Sequence, residues 1–175
     1  MTWLRVVMVS FLIALTSCAA QTQPTPVGPA ELYWLLDRAC VSGDEMSVRM
    51  LLKAGADPTG VQGYEAFHHS PWQIGLEPSW PMNQAASGRH AAVISLLLAA
   101  GAKADAPEGE GQTALLIAAH RGDMNTVRLL LESGASKTYR AAWLGGDSPG
   151  TAEEVAARAG HNEVAAFIHD FGGAK

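Results

Sequence analysis

The sequence predicts an all-α solenoid of about four helix-turn-helix units, and three observations carry that prediction. First, residues 111–135 hold two short amphipathic helical patterns separated by a glycine, and neither can bury its apolar face without a neighbour. Second, the pattern recurs: ACVSGDEMSVRMLLKAGAD from Ala39, AASGRHAAVISLLLAAGA from Ala85 and AARAGHNEVAAFI from Ala156 align on an alanine register. Third, that register advances by 46, 33 and 38 residues (39 to 85, 85 to 118, 118 to 156), so one spacing has the period of a stacked repeat and two exceed it, by 13 and 5 residues.

In the third unit Thr113 is placed to cap a first helix, in which Leu115, Leu116, Ala118 and Ala119 recur at helical spacing until Gly122 ends it. Asp123 then caps a second helix with a stripe of Met124, Val127, Leu129, Leu130 and Leu131, closed by Ser133-Gly134. These residues resemble the ankyrin-repeat family, whose motif G-x-T-P-L-H-x-A-A-x-x-G-H-x-x-V-V-x-L-L-L-x-x-G-A-D is nearly complete here and recognisable in the other units. The resemblance spans roughly residues 30–172 and divides them into units at about 30–58, 80–103, 111–136 and 150–171, with enlarged loops at 59–79 and 137–149. It implies an ankyrin-repeat solenoid that offers its loop tips and inner helices as a concave surface for another protein.

The N-terminal end is of another kind. Its first 15 residues carry one charge, Arg5, followed by an apolar run from Val6 to Leu15 that is too short to span a bilayer, so residues 1–17 read as a secretory signal. Leu15-Thr16-Ser17-Cys18 resembles the bacterial lipoprotein signal, in which cleavage before Cys18 leaves that thiol carrying a diacylglyceryl group. An ordinary signal peptide cut near Ala19-Ala20, with Cys18 lost, is the competing reading. Two or more acyl chains would anchor the mature protein without spanning the membrane. Ala19 stands where an inner-membrane retention aspartate would lie, which by analogy favours the periplasmic face of an outer membrane. Residues 18–29, rich in proline and uncharged, form a tether.

Composition narrows the partner. The chain has 175 residues, is 48% hydrophobic and 17% charged, and has a net charge of -5, which suits one soluble domain with an added segment. Loss of residues 1–17 removes only Arg5 and leaves -6, which argues against nucleic acid or an anionic lipid surface. With Cys18 lipidated, Cys40 has no disulfide partner, and it occupies an alanine position of the repeat, so it reads as a small buried hydrophobe.

The outer units vary the theme. Pro29 suits a first helical turn, and the first unit, with its second helix at about 46–53, reads as the N-terminal cap of the stack. In the second unit Trp80 replaces the usual threonine and Asn83 the usual histidine, with Ser79 as a substitute cap. Arg89 stands where glycine is usual and Gly88 one residue earlier, so a rebuilt turn is expected there. The hairpin after it is acidic, with Asp105, Glu108 and Glu110. The last unit opens with a capping box, Thr151 and Glu154, and Ala165, Ala166, Phe167, Ile168 and Phe171 are expected to close the stack.

Catalytic footholds are weak. Residues 146–150 fit G-x-S-x-G, but the residue after Ser148 is Pro149, which has no N–H to give an oxyanion, so the segment reads as a turn. His90 and His161 share their register with Asp44 and Asp123, and a position that takes Asp or His alike reads as a helix cap. His68-His69 lacks further ligands at metal spacing, so no metal and no cofactor is expected. His120 is placed on an exposed helix surface.

Aromatic placement is the remaining signal. Of the ten aromatic residues after position 17, six lie in or beside the two enlarged loops: Tyr64, Phe67, Trp72, Trp80, Tyr139 and Trp143. They fold back as plugs over the stack or are hooks for a partner, and both can hold at once. The hook reading assigns protein binding to these six together with His68, His69, Glu108, Glu110 and His120. The expected function is therefore non-catalytic protein binding, with no small-molecule substrate. Two resemblances suggest partners: bacterial ankyrin proteins that neutralise toxins delivered to the periplasm, and others that support a periplasmic enzyme such as a catalase.

Overall fold

The computed structural model describes residues 28–60, 80–105, 111–141 and 149–172. Residues 1–27, with Cys18, lie outside them, as do Tyr64, Phe67, His68, His69, Trp72, Ser79, Glu108, Glu110 and Trp143. Among the described residues there are eight helices, and the extended structure is confined to isolated bridge residues such as Ala141 and Gly150. The fold is an all-α repeat.

The helices pair in chain order: α1 (Pro29–Ser42) with α2 (Glu45–Lys53), α3 (Pro81–Ser87) with α4 (Ala91–Ala99), α5 (Ala114–Arg121) with α6 (Met124–Glu132), and α7 (Ala152–Arg158) with α8 (Asn162–Asp170). Local chemistry sets their starts. Pro29 opens α1, and the Glu31 carboxylate accepts the Gly28 N–H at 3.1 Å. Asp44, Thr113, Asp123 and Thr151 cap α2, α5, α6 and α7 through their side-chain oxygens, and Glu154 completes the capping box with Thr151. Trp80 stands at the N-cap of α3 without a side-chain cap bond.

One turn is built four times. In each unit the residue that opens the second helix donates its N–H to the first alanine of the register: Asp44 to Ala39, His90 to Ala85, Asp123 to Ala118 and His161 to Ala156, at 2.8–3.0 Å. The residue before it is left-handed each time: Gly43 (φ 72°), Arg89 (φ 62°), Gly122 (φ 67°) and Gly160 (φ 84°). The expected rebuilding of the second unit's turn therefore does not occur. Gly88 stays right-handed at φ -81°, and Arg89 itself takes the left-handed conformation that glycine takes elsewhere.

First helices pack in one row and second helices in another, with closer contact along the first row. Small side chains permit that approach: Ala39, Cys40, Ala85, Ala86, Ala118, Ala119 and Ala156 are buried. Val48, Ile94, Val127 and Ala165 fill the seam to the second helices, giving one contiguous core from α1 to α8. Residues 21–175 contain every described helix and this whole core. At the C-terminal end Ile168 is buried and Phe167 and Phe171 pack at 5.9 Å, but Ala166 is exposed, contrary to its expected place in closing the stack. No described helix is long and apolar enough to cross a membrane.

Candidate interaction surface

The edge where the first helices end carries a ladder of cross-unit contacts. His90 Nε2 lies 3.1 Å from the carbonyl oxygen of Val41, and His161 Nε2 lies 3.1 Å from that of His120. A carbonyl only accepts, so Nε2 carries the proton in both rings. Neither histidine caps its own helix through its side chain, contrary to the cap expected at this register. The rings instead reach back to the preceding unit.

The step between the second and third units differs because Asp123 holds that register, and a carboxylate cannot donate to a carbonyl. Two arginines cross there. Arg89 Nη2 donates to the carbonyl of Arg121, and Arg121 Nη2 donates to Ser87 Oγ at 2.9 Å. The guanidinium reach that bridges the units comes from the residue that bears the left-handed strain. His120, at the exposed last turn of α5, gives its carbonyl to this ladder, and its side chain faces solvent as expected.

The opposite edge is braced at the connections. Asp105 Oδ1 accepts the Ser136 N–H at 2.6 Å, joining two successive hairpins. Lys137 Nζ donates to the carbonyls of His169 (3.0 Å) and Phe171 (2.7 Å), which satisfies the C-terminal end of α8. The second enlarged loop is closed at its base, where Ala141 and Gly150 exchange two backbone hydrogen bonds of 3.2 and 3.0 Å. Arg140 holds both sides of that base, donating to the Pro149 carbonyl at 2.8 Å and to Glu154 Oε1 at 3.0 Å. The Glu154 carboxyl is held below the usual carboxylate range, first by this arginine and then by the Thr151 N–H.

Of the binding residues expected from sequence, three can be placed. Trp80 is half-buried near Gly60, where an added Cβ would lie 3.5 Å from Trp80 Cε3 and 3.3 Å from Tyr33 Cε2. Tyr139 is half-buried and packs against the core. Both rings are thus partly covered by the fold and keep part of their surface open. His120 alone of the three is exposed. Asn83, in the usual histidine position, is buried and donates from Nδ2 to the Gln112 carbonyl at 3.2 Å. Cys40 is buried, and loss of hydration pushes its thiol up to about 12, with the nearby Asp37 charge adding to the shift. Among the described residues no cluster of His, Cys, Asp or Glu has the makings of a metal site.

The first unit exposes what the others bury. Leu35 shares its register with Pro81, Ala114 and Ala152, all buried. Ser47 and Leu51 likewise match positions that are fully covered in each later unit. These positions face the preceding unit, and before the first unit the described residues provide none. An open groove of about 500 Å³ between α1 and α2 results, lined by Leu35, Ser47, Met50 and Leu51 with Arg38 and Asp44. Met46 is 67% exposed and Met50 64%. A terminal repeat that serves as a cap needs a polar outer face, and among the described residues the first unit presents an apolar one there. The far end is polar, with Glu153, Glu154 and His169 at its outer positions. Sequence reasoning missed the asymmetry, although Leu35 and Leu51 stood in register with core positions and signalled it.

Comparison with known proteins gives one match and one negative. A family model described as ankyrin repeats (3 copies) matches residues 82–174. No curated protein matches the chain. The matched span holds the second, third and fourth units and leaves out the first, the one with the open face. Ankyrin repeats are in general non-enzymatic modules for protein–protein interaction. With more than half of its length covered by that model and four turns of one geometry, the chain belongs to the ankyrin-repeat family.

Proposed function

We infer that this chain is a protein-binding module held at a bacterial cell envelope by a lipid on Cys18, facing the periplasm from the outer membrane, where it neutralises a toxin as an immunity protein. One observation carries the binding surface: the chain enters and leaves residues 142–148 through the Ala141–Gly150 pair, braced by Arg140 on Pro149 and Glu154. A loop fixed at its base loses less entropy on engaging a partner than a free one. The segment carries Trp143, of the residue type most enriched among binding hot spots. The apolar run, the Ser17-Cys18 junction and the proline-rich tether support the anchor.

The test is capture from envelope and secreted fractions of the same and neighbouring strains, with residues 21–175 as bait and mass spectrometry as readout. A single stoichiometric toxin or hydrolase supports the immunity reading, and Trp72→Ala or Trp143→Ala should then weaken it by about 1–2 kcal/mol. A resident periplasmic enzyme such as a catalase would instead make the chain an accessory partner of that enzyme. Cys18→Ala should release the protein from membranes or leave its signal uncleaved, and normal membrane retention would remove the anchor.

A further inference from the structure

We propose that the open face of the first unit is the contact by which two copies of this chain pair, N-terminal end to N-terminal end, about a two-fold axis. The five exposed large hydrophobic side chains of the described residues, Trp34, Leu35, Val41, Met46 and Met50, all belong to α1 and α2. The groove that Leu35 and Met50 line has the register of a surface that, in the three later units, receives a helix pair. Its complement is therefore helical and apolar.

Four occupants fit that description unequally. The C-terminal face of a second copy presents Glu153, Glu154 and His169, which would be desolvated against Leu35 and Met50, and head-to-tail pairing would not close. On the proposed function, residues 1–17 are removed and the acyl chains on Cys18 lie in the membrane; the remaining residues 19–27 are alanine, glutamine, threonine and proline with one valine, and offer no large apolar side chain to a groove of this size. A lipid surface offers no helix pair, which is what this register receives in the three later units. A second copy of the same face is self-complementary in charge: Arg38 and Asp44 line one groove, so a two-fold sets each arginine against the partner's aspartate while the leucine and methionine pairs cover each other.

The face of one helix pair is at the small end of specific interfaces, so a dissociation constant in the micromolar range is expected. The measurement is sedimentation velocity on residues 21–175 from about 1 to 200 μM. The expected result is a monomer at the low end and a dimer at the high end. Met50→Glu sets two like charges face to face and should raise the dissociation constant at least tenfold, with an unchanged thermal midpoint because the side chain is exposed. Leu35→Lys should do the same at a second position. Arg38→Glu should also give a monomer, whereas Val41→Glu, outside the groove, should leave the dimer intact. A monomer throughout the range overturns the proposal, as does a dimer that survives Met50→Glu and Leu35→Lys. Binding to phosphatidylethanolamine–phosphatidylglycerol vesicles that Met50→Glu abolishes, without self-association, would replace the second copy by a membrane.

Discussion

The Nε2 of His161 lies 3.1 Å from the main-chain oxygen of His120, and the same imidazole lies over Gly122, where an added Cβ would come within 2.7 Å of its Cγ and Cε1. His90 stands over Gly43 in the same way. Two requirements thus meet at one glycine: a left-handed backbone and room for the ring of the next unit. Stability in this stack depends on how each unit grips the one before it, as expected of a solenoid whose units cannot fold alone.

His161→Ala should cost about 0.5–1.5 kcal/mol, the worth of one hydrogen bond whose acceptor is left facing water. Gly122→Ala should cost more, about 2 kcal/mol, because it adds left-handed strain to the collision with the ring. In the His161→Ala background the Gly122→Ala cost should fall to about 1 kcal/mol, since only the backbone term remains. Urea unfolding of the four proteins measures the coupling. Strictly additive costs would show that the ring and the glycine do not oppose each other.

Arg89 inverts an ordinary preference. Arg89→Ala should destabilise by about 1 kcal/mol, because it removes the bond to the Arg121 carbonyl and keeps a side chain at φ 62°. Arg89→Gly loses the same bond but relieves the left-handed strain, so it should be more stable than the alanine variant by about 1 kcal/mol. Thermal melts of the two variants decide the matter. An alanine variant as stable as the glycine one would mean the turn opens elsewhere.

Much of this fold was legible because the repeat states it several times over. The alanine register, the glycine turns and the caps Asp44, Thr113, Asp123 and Thr151 follow from local rules, and each recurs in the structure. What could not be read lies between units. A cap and a cross-unit donor place histidine at the same register, and only the distance from His90 Nε2 to Val41 tells them apart. Arg89 was misread because propensity forecasts a moved turn, whereas the packing of α3 and α4 holds the backbone and imposes the strain on the side chain present. Trp80 and Tyr139 are half-buried, and composition alone does not say how far a ring is covered.

Cys40 yields a prediction of pH dependence. Its thiol ionises near 9 in the unfolded chain and at about 12 in the fold, because burial denies the thiolate its water and Asp37 adds like charge. The raised group favours the fold fully below about pH 9, and that contribution is lost as pH rises from 9 toward 12. Cys40→Ala should therefore flatten the alkaline fall in urea midpoint between about pH 9 and 10.5, and at neutral pH should cost no more than about 1 kcal/mol. Alanine already serves the same register at Ala86 and Ala119. Native Cys40 should also resist alkylation until urea unfolds the chain. Rapid stoichiometric labelling of the folded protein would contradict its burial.

Glu154 joins the start of α7 to the base of the second enlarged loop, accepting the Thr151 N–H at 3.3 Å and Arg140 Nη1 at 3.0 Å. Its carboxyl is held below the ordinary carboxylate range, so what it contributes is complete above that range and is lost as pH falls through the lowered value. Arg140 and Glu154 are both about half exposed, so the ion pair adds little to global stability and its effect is local. Glu154→Gln keeps a capping-box acceptor but drops the charge that orients Arg140, whereas Glu154→Ala removes both. Hydrogen exchange at the Ala141 and Gly150 amides, which pair at the loop base, should accelerate several-fold in the glutamine variant and further in the alanine variant. Equal acceleration in the two variants would assign the effect to the cap alone and leave Arg140 without a role in holding the loop.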